Sequence, residues 1–169
     1  ASWWSGSFQQ DYNAYYEFQV GLRPFFVRLK NQLYYWAFHQ STTYVTPGKS
    51  SQFYSWDYWA SFQGIDKVDN EKIEKNVELL QELQSALEES GKKMLCVIAP
   101  NKVRYMPEYL PNRLSQESGQ TTNYSVYLDQ LLEQGINTLD LNRWFIEMKD
   151  TVLNPLFANT SIHWSGYGM

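Results

Sequence analysis

Apolar and polar positions alternate with two different periods along this chain, and the change of period divides it. Phe8, Tyr12, Tyr15 and Tyr16 recur at helical spacing. After Gly21 the set Leu22, Phe25, Phe26, Leu29, Leu33, Trp36 and Ala37 continues the same period. Pro24 falls near the start of this second helix, where its missing N–H is not needed. Thr46-Pro47-Gly48-Lys49 reads as a turn, an aromatic run from Phe53 to Phe62 closes at Gly64, and residues 43–56 leave room for a strand or two. From Asp66 onward helices and strands alternate. Asp69 can cap a helix whose apolar face is Ile73, Val77, Leu80, Leu83 and Leu87, with Glu71 in its first turn and Gly91 just past its end. Lys93 to Ala99 reads as a buried strand ending at Pro100. A polar loop over Asn112–Asn123 leads to a helix around Tyr124–Glu133, which Gly135 stops, and Ile136–Leu141 reads as a second short strand. Asn142–Val152 is expected to be helical up to the break at Asn154-Pro155. A helix–glycine–strand unit that occurs twice predicts an α/β fold with a parallel sheet and crossover helices. Residues 1–65 are accordingly read as an aromatic helical N-terminal region packing on the core, and residues 66–169 as the α/β domain.

Composition changes this picture in two ways. With 169 residues, 43% apolar and 19% charged, the chain is long enough for a real core and is not disordered. A net charge of -4 argues against a nucleic-acid partner, because phosphate binding rests on clustered Lys and Arg. The second change is the aromatic content: seven Trp, thirteen Tyr and nine Phe suit sugar stacking as well as ordinary half-buried packing. No run approaches the ~20 apolar residues of a membrane span. No charged-then-apolar signal segment precedes Ala1, which is expected of a mature or trimmed form. The lone Cys96 sits in the apolar run 94–98 and reads as a buried inert thiol.

Candidate chemistry gathers at the carboxyl ends of the two strands, where ligand sites of parallel sheets lie. Asn101 and Lys102 can donate to a polar or anionic ligand there, or can simply end the strand and solvate a loop. Asp140 can orient a base, or cap the next helix through Asn142-Arg143, which is the more ordinary use. His163 beside Trp164 is the remaining candidate, as a general base with the indole fixing its ring, or as a packed surface histidine. His39 lies far off in an aromatic helix, so a histidine metal site is not expected, nor is any cofactor. No glycine-rich phosphate loop is present, and nothing selects a glycosidase pair among the carboxylates.

Several segments together resemble one family. Gly6-Ser7-Phe8 with its Tyr-rich helix, Arg23, and Phe26 through Leu33 are similar to the entry segment of alginate O-acetyltransferase proteins of the J and X type. Pro47-Gly48-Lys49 before an aromatic stretch resembles their glycine-lysine turn. Val97-Ile98-Ala99-Pro100-Asn101-Lys102, followed by Tyr105-Met106-Pro107-Glu108-Tyr109-Leu110-Pro111, resembles their strand and its continuation. Gly135-Ile136 through Asp140-Leu141, then Pro155-Leu156-Phe157 and Thr160 to Gly168 around His163-Trp164-Ser165, resembles their path to an Asp-x-His-Trp motif.

The resemblance implies an SGNH-hydrolase-like α/β fold, with residues 66–169 as its front part. It also implies an extracytoplasmic place in the bacterial envelope, periplasmic or at the cell surface, and acetylation of exopolysaccharide beside a membrane-bound O-acyltransferase partner. Its mechanism is Ser-His-Asp acyl transfer. Carried over by position, His163 is the base and Ser161 stands where the family has its aspartate. Asn101, Lys102, Tyr105 and Trp164 are the expected substrate contacts, and the substrate is a polysaccharide or acylated glycan. A hydroxyl at 161 can accept a hydrogen bond from the imidazole but adds no negative charge, and in a serine protease neutralising the equivalent carboxylate costs roughly 10⁴ in turnover. The family's nucleophilic serine lies downstream of the His-Trp motif, and Ser165 is not it. This chain is therefore expected to be inactive alone and active in a longer form. The alternative is a catalytically inactive glycan-binding or scaffold protein of a polysaccharide-acetylation system, which binds through Trp residues such as Trp56 and Trp59.

Overall fold

The aromatic period of the N-terminal segment winds into two helices, α1 (Ser7–Gln19) and α2 (Arg23–Phe38). Residues four apart on a helix stand one above the other, and α1 uses this for a ladder of rings. Phe8–Tyr12 and Tyr12–Tyr16 have centroid separations of 5.9 and 4.5 Å, and the Trp3 ring, ahead of the helix, joins at 5.1 Å from Phe8. The computed structural model describes residues 3–19, 21–38, 40–41, 44–115 and 119–169. His39, placed in an aromatic helix by the sequence, lies outside them. Among the described residues no helix is long and apolar enough to cross a membrane.

Two units make up the chain, and the division falls between Thr43 and Tyr44. The sequence placed the change at 65/66. Residues 44–65 fold with the α/β unit because their aromatic run turns inward: Tyr54 and Phe62 form one buried cluster with Val103 and Leu110. Strand β1 (Val45–Pro47) pairs antiparallel with β2 (Phe53–Ser55), Thr46 opposite Tyr54. Gly48, in the connection between them, lies so close to Tyr109 O and the Tyr54 ring that a Cβ would fall 2.6 Å from each. Helix α3 (Trp56–Gln63) follows directly and ends on Gly64, whose φ of 73° gives the left-handed cap that glycine adopts without strain.

Helix α4 (Asn70–Glu89) begins after Asp69 and buries Ile73 and Val77, the inner part of the expected stripe. Gly91, at φ 72°, lets the chain reverse into β3 (Cys96–Ile98). A one-turn helix α5 (Lys102–Tyr105) follows. Helix α6 (Asn123–Glu133) starts on a capping box of Thr122 and Ser125, and β4 (Thr138–Asp140) runs into α7 (Leu141–Met148). Strands β3 and β4 pair in parallel, with Val97 opposite Leu139. One face of this pair is covered by α4 and α6: Ile73, Val77, Leu131 and Ile136 are buried together, with Cys96 and Ile98 against them. The strand expected to be buried is thus buried on one side only. Val97 and Leu139 point the other way and are 49% and 41% exposed. Helix α7 ends earlier than expected, because residues 149–151 turn and Lys149 Nζ donates to Tyr105 O and Glu108 Oε1, both at 2.7 Å. A third cluster, Tyr105, Phe145, Leu156 and Phe157, seats the C-terminal segment on α5 and α7.

Candidate active site

A cavity of about 600 Å³ opens at the carboxyl end of β3, and its wall includes Tyr58, Asn101, Arg104, Tyr124, Asn142, His163 and Trp164. It lies beyond the carboxyl end of a parallel pair, where ligand sites of α/β sheets gather. Asn101, Arg104 and Asn142 come from the segments that follow β3 and β4, while His163 and Trp164 come from the C-terminal loop that the Phe157–Trp164 bridge holds.

Asn101 caps α5. Its Oδ1 accepts from Val103 N at 2.8 Å, its Nδ2 donates to Tyr58 O at 3.0 Å, and its own N–H donates to Asn142 Oδ1 at 2.7 Å. Asn142, buried, returns its Nδ2 to Ala99 O at 3.1 Å. The two asparagines therefore tie the ends of β3 and β4 together at the cavity floor. Asp140 resolves as the cap, not as an orienter of the histidine. Its Oδ1 accepts from Asn142 N and Arg143 N at 3.0 and 3.3 Å, and its Oδ2 accepts from the Tyr124 hydroxyl at 2.7 Å. Burial, with Asp140 adding to it, pushes the Tyr124 phenol well above its ordinary range. Across the wall the Arg104 guanidinium stacks on the Tyr124 ring, 4.4 Å from its centroid, and donates to Thr122 Oγ1 at 3.0 Å.

His163 is exposed and its ring meets that of Trp164 edge-on, with centroids 6.3 Å apart. Trp164 is fixed by a bridge to Phe157. Ser161 was expected to serve the imidazole. The bond that joins the two residues instead runs from the His163 backbone N–H to Ser161 Oγ, 3.1 Å. Ser161 shapes the turn. Ser165 is also structural: its hydroxyl donates to Pro155 O at 2.8 Å.

Two expected substrate contacts lie elsewhere. Tyr105 is buried in the third cluster, packed on Phe145 and Phe157, and its phenol is pushed up by burial. Lys102 is fully buried. Its Nζ donates to the carbonyls of Ala158, Asn159 and Ser161 at 2.7, 3.0 and 2.8 Å, and burial lowers its pKa to about 8. Neither side chain reaches the cavity, because each is turned toward the C-terminal segment. The sequence reading missed Tyr58, Arg104 and Tyr124. Arg104 and Tyr124 carry a signal only in hindsight, as a cation six residues past the end of β3 and an aromatic in the first turn of a helix. Among the described residues no three His, Cys, Asp or Glu side chains come together as a metal site would need.

The profile of the SGNH hydrolase-like domain of the acetyltransferase AlgX matches residues 53–169, which hold all of this site. The chain belongs to that family. A curated relative of this AlgX-like domain is the probable alginate O-acetylase AlgJ of Pseudomonas aeruginosa. It is 23% identical over 164 residues, which are 97% of this chain and 40% of that protein. The O-acetyltransferase domain of Pseudomonas putida AlgJ superposes with a TM-score of 0.54 at 21% identity, covering 75% of this chain and 43% of that one. The SGNH-hydrolase-like α/β fold is thereby shared, over about two fifths of the length of these relatives.

Proposed function

We propose that the chain forms the histidine-bearing part of an O-acetyltransferase or acetylesterase site that acts on exopolysaccharide or cell-envelope glycan outside the cytoplasm, beside a membrane-bound O-acyltransferase partner. The observation that carries this reading is the position of His163 and Trp164 on the wall of a cavity at the carboxyl end of β3, within the family's own stretch of sequence. In this reading His163 takes the proton of a serine hydroxyl as that oxygen attacks the acetyl carbonyl. It gives that proton to the departing oxygen of the acetyl donor, which leaves an acetyl-serine; it then takes the proton of the glycan hydroxyl or water that attacks this ester and returns it to the serine oxygen. The serine is supplied from outside residues 1–169. Asn101 and Asn142 hold the floor of the site, and Trp164 offers an aromatic face to a sugar ring.

The test is acetyl transfer from an activated acetyl ester to envelope polysaccharide by the whole protein. His163→Ala should lower the rate by roughly 10²–10⁴-fold, the usual worth of a positioned base. Unchanged transfer would remove His163 from the chemistry.

Ser161 favours a second reading. With its hydroxyl on the His163 backbone it gives the imidazole no charge, as suits an inactive relative that binds glycan or scaffolds a polysaccharide-acetylation system. Trp56, 46% exposed, is the residue to change in that case. Trp59 is not, since its indole N–H donates to Leu114 O at 3.1 Å and its ring packs on the first cluster. A wild-type protein without transferase or esterase activity, whose glycan affinity falls on Trp56→Ala, would establish the second reading over the first.

A further inference from the structure

The loop that presents His163 is built around an ammonium group. Phe157 and Trp164 close its base as an isolated antiparallel bridge, and Ser165 N donates to Leu156 O at 2.8 Å just beneath. Between them the backbone carbonyls of Ala158, Asn159 and Ser161 all converge on one point, which the Lys102 Nζ occupies at 2.7, 3.0 and 2.8 Å. Three carbonyl dipoles aimed at one spot repel one another unless a donor or cation lies between them. An ammonium carries three protons, so three acceptors satisfy it completely. Lys102 is 0% exposed and its charge also lies 5.4 Å from the centroid of the Tyr54 ring. A second hold comes from the β1–β2 connection: Gln52 Nε2 donates to Asn159 Oδ1, and Phe53 N donates to Asn159 O, both at 2.9 Å. From Ser161 the chain of contacts passes to the histidine, whose backbone N–H donates to Ser161 Oγ.

We propose that Lys102 is a positioning residue for His163: its buried ammonium gathers the three carbonyls and so sets the backbone from which the imidazole faces the cavity. Lys102 and Asn101 are neighbours, so a single stretch after β3 fixes the cavity floor and, from behind, the loop that carries the base. The inference rests on the reading of His163 as that base, but its central measurement does not require activity.

The first experiment uses the unaltered whole protein. Lysine-selective ¹⁵N spectra near pH 6 should show the Lys102 ammonium in slow exchange with water, with cross-relaxation to the amides of residues 159–163, while surface lysines give no such signal. Loss of the ammonium protons to fast exchange would overturn the proposal without any variant. The second compares Lys102→Gln and Lys102→Met with wild type by imidazole NMR, with His163 assigned through His163→Gln. The His163 resonances should shift and broaden, and amide exchange over 158–163 should quicken at least tenfold; kcat for acetyl transfer should fall at least tenfold, with KM within about twofold. Variants that melt earlier yet keep the His163 resonances and kcat would make Lys102 merely structural and overturn the proposal. An inactive wild type with a slow-exchanging ammonium and His163 signals that respond to Lys102→Gln would support the positioning role while sinking the transferase reading.

Discussion

A methyl group at position 168 would collide with the backbone. A Cβ there falls 2.6 Å from Leu156 O and 3.4 Å from the Phe145 ring, while the Gly168 N–H donates to Ser165 O at 2.9 Å. Gly168→Ala must lift the C-terminal turn from the Phe145–Phe157 cluster, and we expect it to cost about 1–3 kcal/mol, read as a lower urea midpoint at unchanged slope. An unchanged midpoint would show that this turn is not seated. Lys102 supplies a pH test. With its pKa lowered from 10.5 to about 8, the folded state gives up a proton above pH 8 that the unfolded chain keeps until about 10.5. The unfolded state then binds more protons, so stability contributed at this site rises with pH across that window and is flat below it. The wild-type minus Lys102→Met difference in unfolding free energy should rise above pH 8, by at most about 1.4 kcal/mol per pH unit. Tyr54 and Tyr124, both held protonated by burial, act in the opposite sense above pH 10, and Tyr54 touches Lys102, so the difference is read between pH 8 and 10. A flat difference would mean that the ammonium is not desolvated. Nothing in the local sequence separates a solvated Lys102 from this buried one, because its acceptors are carbonyls 56 to 59 residues away.

Among the elements, the helix ends were the most legible part, since caps are local chemistry. Gly91, Gly135 and the Asp140 cap fall where the sequence put them, and Asp69 stands just ahead of α4 although its side chain makes no capping bond. Asp140→Ala removes the acceptor of two first-turn N–H groups of α7 and of the Tyr124 hydroxyl. The loss should be about 1–2 kcal/mol in chemical denaturation, with Asp140→Asn recovering most of it because an asparagine oxygen still caps. An Asp140→Ala midpoint equal to wild type would mean that α7 is held by Asn142 and Phe145 alone. Strand lengths were less legible. Lys93–Ala99 and Ile136–Leu141 shrink to Cys96–Ile98 and Thr138–Asp140, because a strand extends only as far as a neighbour's ladder supports it, and each has one neighbour here. Periodicity could not show that Val97 and Leu139 face away from the helices, since a short apolar run reads the same buried on one side or two.

For the whole molecule the division at Thr43/Tyr44 has a direct consequence. A chain that starts at Tyr44 keeps all three buried clusters, and the family match begins at Phe53. It should melt cooperatively by circular dichroism, with a midpoint within about 4 °C of the full chain, a shift equivalent to roughly 1 kcal/mol or less. A broad, non-cooperative melt would place residues 1–43 within the folding unit. The sequence by itself determined α1, α2, α4 and α6, the parallel pairing implied by two helix–glycine–strand units, and the family, because these rest on local caps, periodicity and ordered motifs. Only the tertiary structure decided which side chains face the cavity. Lys102 and Tyr105 turn inward and Ser161 bonds the backbone, while Arg104, Tyr124 and Asn142 arrive on the wall beside His163. The reason is geometric: a side chain's partner in this site is a backbone carbonyl or ring brought close by the sheet crossover, and no spacing along the chain encodes that meeting.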